Sequence, residues 1–160
     1  MIQSKFEAVK SLYSLELSEN DIAFIFLGYS GILLRSKTTA MAIDPSRSLG
    51  QTEISAIEHL DLLLFIHNHW DHYINEEALL IIKSTGSHVI ADKITSKELK
   101  TSVPSNMITI GDSGSFSQTY KIGNHEVVAL RGIHVGPITQ YLVILGNKGL
   151  PWRRFRLLAT

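Results

Sequence analysis

Four potential metal ligands lie within six consecutive residues, in the sequence His67-Asn-His69-Trp-Asp71-His72. In an extended segment side chains alternate, so His67 and His69 project to the same side and can bind one cation. A turn after Trp70 would let Asp71 and His72 face a second cation. Because the sequence contains no cysteine, thiolate metal sites and cysteine nucleophiles are excluded. The motif therefore predicts a metal site built from nitrogen and oxygen ligands.

Catalytic metal sites usually combine three protein ligands with one position left for water. His134, in the segment 132–137 between two predicted strands, is the best candidate to complete the site of His67 and His69. Asp44 precedes a proline at the end of a predicted strand. It either accepts the second N–H of a ligand imidazole or begins an ordinary turn, and the sequence leaves both alternatives open. The other histidines are expected to be solvated or packed: His59, His88 and His125.

The motif directly follows Asp61–Ile66, an apolar run typical of a strand buried on both faces. Open α/β sheets bind ligands beyond the carboxyl ends of their strands. The position of the motif and its residue types therefore both indicate a ligand site. Further strands are predicted at Ile22–Leu27, Ile32–Arg35, Ala40–Ile43, Ser87–Ala91, Met107–Ile110, Phe116–Ile122, His125–Leu130 and Gln140–Leu145. Helices are predicted at Phe6–Leu17, where an irregular arm is the alternative, and at Thr52–His59, Asn75–Thr85 and Thr95–Ser102. This order of elements predicts a layered α/β architecture.

Length and composition suit one globular domain, since the chain has 160 residues and is 44% hydrophobic. The 15 basic residues balance the 15 acidic ones, so no net charge favours a nucleic acid or an acidic membrane surface as partner. The longest apolar run, 22–34, is too short to span a bilayer, and the N-terminal residues lack the apolar core of a signal peptide. We therefore expect a cytoplasmic protein with a small-molecule substrate. The sequence has no nucleophile-elbow motif, so a Ser-His-Asp hydrolase is not expected. Phosphate-binding and dinucleotide-binding loops are also absent, so no cofactor-binding residues are assigned.

Together, these motifs resemble the metallo-β-lactamase superfamily. More narrowly, they are similar to the branch typified by ascorbate-6-phosphate lactonase and N-acylphosphatidylethanolamine phospholipase D. The resemblance runs from about Asp21 to about Gly146. It is carried by the motif at 67–72 and supported by Phe26–Gly31, Ile43–Pro45, Met107–Asp112 and His134.

The resemblance implies an αββα sandwich, of which this chain is the N-terminal part, and two ions, usually zinc and sometimes manganese or iron. In such proteins a metal-bound hydroxide attacks an ester, lactone or phosphodiester. Carried over, His67, His69 and His134 hold the first metal, whereas Asp71 and His72 hold the second. Asp71 is also the residue assigned to catalysis.

The family uses two further ligands, an Asp in a Gly-Asp sequence and a final His, and neither follows in this chain. Its last Asp is Asp112 and its last His is His134. The chain is therefore expected to be truncated or frameshifted, with an incomplete second metal site on which its activity in this form depends. The predicted organisation is an arm or helix at 1–20, an incomplete metallo-β-lactamase-like domain at 21–146 and an aberrant basic tail at 147–160. The alternative is a non-catalytic metal-binding or assembly protein, and unpaired strand edges favour a homo-oligomer.

The frameshift hypothesis makes a prediction for the gene. Trp152 fixes the bases TGG, so one alternative frame reads Gly across Trp152 and Arg153, and the surrounding codons permit His-Gly-Gly-Asp. Sequencing the gene is expected to show this Gly-Asp in the alternative frame. An immediate stop codon, or a different peptide there, would contradict the hypothesis.

Overall fold

The computed structural model describes residues 4–45, 47–111, 117–134 and 136–144, with the side chains of 133, 134, 136–138, 142 and 144 excepted. The predicted basic tail at 147–160 and the turn at Asp112 lie outside the described residues. None of the helices in the described part of the chain has the length and apolar character needed to cross a membrane.

Nine strands form two sheets in the described residues. The first sheet contains, in spatial order, β1 (Ile22–Gly28), β2 (Gly31–Ser36), β3 (Ala40–Ile43), β4 (Leu62–Phe65), β5 (His88–Ala91) and β6 (Ile108–Ile110). Strand β2 pairs antiparallel with both β1 and β3, whereas the neighbouring strands from β3 to β6 pair parallel. The second sheet is an antiparallel meander of β7 (Ser117–Ile122), β8 (His125–His134) and β9 (Gly136–Ile144).

Alternating side chains of the first sheet supply two separate hydrophobic cores. On one face Leu63 and Phe65 of β4 pack with the four helices, α1 (Lys5–Ser14), α2 (Gln51–Ile54), α3 (Asn75–Thr85) and α4 (Lys93–Leu99). On the other face Leu62 and Leu64 pack against residues of the second sheet. All four of these β4 side chains are completely buried, as expected for a parallel strand covered on both sides. The described residues thus form a helix layer and two sheet layers, which confirms the predicted α/β class and matches three of the four layers of an αββα sandwich.

Helix ends follow the chemistry of their sequences. Gly86 ends α3 with φ 68°, a left-handed conformation that glycine adopts without a Cβ penalty. Asp92 caps α4, its carboxylate accepting hydrogen bonds from the backbone N–H groups of Ile94 and Thr95. The boundaries predicted for α3 from its acidic first turn and terminal glycine are confirmed.

Several predicted elements differ in extent. The helix predicted at Phe6–Leu17 spans Lys5–Ser14, and the helix predicted at Thr95–Ser102 begins earlier, after its cap Asp92, and spans Lys93–Leu99.

The helix expected at 52–59 ends at Ile54, because the Ser55 hydroxyl donates to the carbonyl of Thr52 and competes with the helical hydrogen bonds. Its first turn is closed by the Glu53 carboxylate, which accepts from the N–H of Gly50. The hairpin of β8 and β9 is longer than predicted and extends to the pairing of His134 with Gly136. His134 therefore ends a strand, whereas the sequence had suggested a loop.

The second sheet is joined to the first near the carboxyl end of β4. The Tyr141 hydroxyl donates to the carbonyl of Phe65 at 3.1 Å, and the Thr139 N–H donates to the carbonyl of Ile66 at 3.2 Å. The Thr139 hydroxyl also donates to the carbonyl of Gly111 at 3.0 Å. A Cβ at position 111 would lie 2.5 Å from the Tyr141 hydroxyl, so only glycine fits this contact.

Removing the Tyr141 hydroxyl tests this junction. We expect Tyr141→Phe to lower the free energy of unfolding by about 1–2 kcal/mol, because a buried hydrogen bond is lost. Tyr29→Phe is the matched control, since Tyr29 is exposed. Urea unfolding of both variants gives the measurement, and equal stabilities would show that the Tyr141 hydrogen bond contributes nothing.

Candidate metal centre

The motif lies at the carboxyl edge of the parallel strands. His67 follows β4 after one residue, and Asp44 directly follows the neighbouring strand β3. Parallel strands end at a common edge, so the two side chains come from adjacent positions on the sheet. The edge was predicted as the site from the buried strand and the motif after it.

A tight turn folds the motif back on itself. The backbone N–H groups of His72 and Tyr73 both donate to the carbonyl of His69, at 2.9 and 2.8 Å. The Tyr73 ring then packs edge-on against Phe65, with ring centroids 5.1 Å apart, and anchors the end of the turn in the core. This geometry confirms the turn that was expected after Trp70.

The turn brings the ligand side chains together. The His67 ring lies 4.3 Å from that of His69 and 3.9 Å from that of His72, measured between centroids. One donor atom from each of His67, His69 and Asp71 lies within 4.8 Å of the others. Two imidazoles and a carboxylate are a donor set that suits zinc, manganese or iron, so the residues present fit a divalent metal ion.

His72 is held by Asp44. Its Nδ1 is 2.8 Å from Asp44 Oδ2, and its Nε2 is 3.5 Å from Asp71 Oδ2. The other Asp44 oxygen accepts the N–H of Ile66 at 2.9 Å, so both carboxylate oxygens are engaged although Asp44 is completely buried. Of the two readings of Asp44 left open by the sequence, the structure supports the imidazole partner. The Asp-Pro at a strand end was the available sequence signal.

Asp44 and His72 each change the pKa of the other. Burial by itself would lower the pKa of His72, but the hydrogen bond and charge of Asp44, with the charge of Asp71, outweigh burial and raise that pKa. Burial raises the pKa of the Asp44 carboxyl, against hydrogen bonds from His72 and Ile66 that lower it. If Nδ1 of the neutral ring donates to the carboxylate, Nε2 is the atom through which His72 could bind a metal ion.

The remaining predicted site residue is His134. Its backbone ends β8, in the hairpin that is joined to Ile66 through Thr139, but its side chain lies outside what the structure describes. Two other histidines lie elsewhere, as expected. The His59 ring packs edge-on against Tyr13, and His88 Nε2 is hydrogen-bonded to Thr109 at 2.8 Å.

Asp44→Asn separates the charge of this carboxylate from its shape. In metal-free protein we expect the pKa of His72 to fall, because the negative charge that favours its protonated form is removed. NMR titration of the ring resonances measures this change. His88, whose pKa is lowered by burial alone, is the internal control and should not move. An unchanged His72 titration would refute the coupling.

No protein-family model and no curated protein matches the sequence. Solved structures do match. Igni18, a metallo hydrolase from the archaeon Ignicoccus hospitalis, superposes with a TM-score of 0.61 at 16% identity over 77% of this chain and 55% of its own. CmlA, a diiron β-hydroxylase from Streptomyces venezuelae, gives 0.57 at 22% identity over 82% of this chain and 29% of its own.

The metallo-β-lactamase fold protein YhfI from Bacillus subtilis gives a TM-score of 0.51 at 16% identity, over 80% of this chain and 52% of its own. The chain thus spans about half the length of Igni18 and YhfI, and less of CmlA. Identities this low establish the fold and nothing finer. The described residues have the fold of the N-terminal part of metallo-β-lactamase-like proteins.

Proposed function

We propose that this chain belongs to a metal-dependent hydrolase of the metallo-β-lactamase superfamily. The observation that carries the proposal is the convergence of His67, His69 and Asp71 within 4.8 Å at the carboxyl edge of the sheet. The branch typified by ascorbate-6-phosphate lactonase and N-acylphosphatidylethanolamine phospholipase D remains part of the proposal, supported by the sequence motifs alone.

The proposed ligands divide between two ions. His67 and His69, with His134, would hold the first, while Asp71 and His72 would hold the second. The proximity of His72 Nε2 to Asp71 Oδ2, 3.5 Å, supports a shared second site. Zinc is the first choice for this donor set, and manganese or iron are alternatives.

A divalent metal bound here supplies Lewis acidity, lowering the pKa of a water and polarising an ester, lactone or phosphodiester bond. The chain itself orients the groups. Asp44 holds the Nδ1 proton of His72 and so directs Nε2 toward Asp71, while Ile66 N–H holds Asp44 in turn. Asp71 is proposed to act directly in catalysis, because its carboxylate lies beside both His72 and the other two histidines.

The proposed partner is a small-molecule substrate, with self-association as a second proposal. Strand β1 is at the edge of the first sheet, and Phe24 and Phe26 on it are 63% and 66% exposed. Their strand, Ile22–Gly28, contains no charged residue that would oppose pairing with another strand.

A second candidate function is a non-catalytic metal-binding or assembly protein. It is favoured by the described residues, in which a single group of three side chains, His67, His69 and Asp71, places its ligand atoms close enough to hold one metal ion. Metal stoichiometry separates the candidates: two equivalents of metal per chain support the hydrolase, and one or none supports the alternative.

His69→Ala tests the metal site. We expect zinc affinity to fall more than about a hundredfold, since losing even an outer partner of a ligand costs 10–100-fold. His88→Ala is the matched control, because His88 is hydrogen-bonded to Thr109 outside the motif. Elemental analysis of purified variants measures the metal. Equal zinc in both variants would contradict the assignment.

Activity is tested on chromogenic ester, lactone and phosphodiester probes with zinc-, manganese- or iron-loaded protein. Hydrolysis should vanish in His69→Ala and persist in His88→Ala. Hydrolysis that survives both chelation and His69→Ala would exclude a metal-dependent reaction at this site.

A further inference from the structure

Three exposed side chains form a patch beside the metal centre. Trp70 lies between His69 and Asp71 in the motif, and its ring is 61% exposed. The Arg47 guanidinium lies over this ring, 4.9 Å from its centroid. The Tyr29 ring meets Trp70 edge-on with centroids 6.1 Å apart. We call these three residues, Tyr29, Arg47 and Trp70, the rim patch.

The rim patch is built on three loops that are tied to one another. The Ser30 hydroxyl donates to the carbonyl of Asp71 at 2.9 Å, which joins the turn carrying Tyr29 to the metal motif. The Ser48 hydroxyl donates to the carbonyl of Gly28 at 3.3 Å, which joins the loop of Arg47 to the same turn. The patch is therefore positioned relative to the metal ligands by hydrogen bonds.

The backbone at the rim patch adopts conformations that side chains normally avoid. Among the described residues, three non-glycine residues have positive φ: Tyr29 at 51°, Asp44 at 45° and Arg47 at 59°. All three surround the metal motif, and two of them are patch residues. Such backbone costs free energy, and it clusters where a ligand is bound. The Glu77 carboxylate accepts the backbone N–H of Arg47 and so helps to hold this conformation.

The position of Arg47 suits it to bind an anion. The residue is exposed, and its guanidinium lies over the Trp70 ring, 4.9 Å from the centroid. A guanidinium is planar and can pair with two oxygens of an anion at once. Within the part of the chain that the structure describes, the Arg47 guanidinium forms no ion pair. The Glu77 carboxylate accepts the backbone N–H of Arg47 and forms no ion pair with its guanidinium. The positive charge is thus available to a ligand.

We propose that the rim patch binds the anionic oxygen group of the substrate at Arg47, with an adjoining flat apolar group against Trp70 and Tyr29. The substrate class is then a compound in which a phosphate or a carboxylate is attached to a flat apolar group such as an aromatic ring. This inference rests on the proposed function, since it specifies the substrate of that same site.

Calorimetric titration of chelated, metal-free protein tests the patch separately from the metal. The probes are phenyl phosphate, benzoate and uncharged phenol. We expect at least one of the two anions to bind about tenfold or more tightly than phenol, because charge-assisted hydrogen bonds are the stronger ones. Tighter binding of phenyl phosphate assigns a phosphate, and tighter binding of benzoate assigns a carboxylate. Equal affinity for phenol would overturn the proposal.

Arg47→Asn removes the charge and is expected to fold normally, because Asn tolerates positive φ. Anion affinity should fall about tenfold or more in this variant. Lys37→Asn is the matched control: Lys37 is exposed, pairs with Glu19 and lies beyond the opposite end of β2 from the rim patch. The Lys37→Asn variant should bind the anions with the same affinity as the wild type. Unchanged affinity in Arg47→Asn, or an equal loss in both variants, would overturn the proposal.

Trp70→Leu tests the apolar part while keeping the charge. Affinity for phenyl phosphate should fall, whereas affinity for methyl phosphate should not change. Equal losses for the two phosphates would remove the apolar subsite from the proposal. No metal is present in these titrations, so their result does not depend on whether the metal ligands are assigned correctly. Equally, a failure to bind these anions would not contradict the metal site.

Discussion

The hydrogen bonds of one buried carboxylate organise the candidate site. Asp44 ends β3 and is completely buried, yet its two oxygens bind the N–H of Ile66 at the end of β4 and Nδ1 of His72 in the motif. A buried carboxylate without such partners would be costly, so the strand ends and the motif are constrained to meet it. The backbone of Asp44 adopts φ 45° to make these contacts, which the pairing of its N–H with Leu64 helps to stabilise. The position of His72, and through it the relation of the two proposed metal sites, depends on this residue.

The hydrophobic layers provide the rigid support for that arrangement. Every side chain of β4 is buried, alternately against the helices and against the second sheet, so any shift of the strand that leads into His67 would disrupt the packing of both cores. The Tyr141 and Thr139 hydrogen bonds attach the second sheet at the same end of β4. The hairpin that carries His134 is thereby anchored to the residue that precedes His67.

The fold does not decide the reaction. Structures with this fold include a metallo hydrolase and a diiron β-hydroxylase, so similar scaffolds accompany different chemistry. What distinguishes one such protein from another is the set of side chains around the metals. In this chain the rim patch of Tyr29, Arg47 and Trp70 is the feature beside the motif that bears a positive charge and exposed aromatic rings.

Local patterns in the sequence determined the elements and the metal motif. The continuous apolar run at 61–66 identified β4, and an acidic first turn with a terminal Gly86 identified α3. The metal motif was identified by the spacing of His67, His69, Asp71 and His72. Each of these signals could be read from the sequence because it lies within one short segment. The tertiary structure decided what depends on residues distant in sequence. Asp44 contacts His72 across 28 positions, so an Asp-Pro pair alone could not separate an imidazole partner from a turn. Local propensity had predicted that β8 would end at Leu130, but its pairing with β9 extends the strand to His134. The turns that hold Tyr29 and Arg47 are visible in the sequence, but nothing local shows that their side chains meet Trp70, and only folding brings the three together.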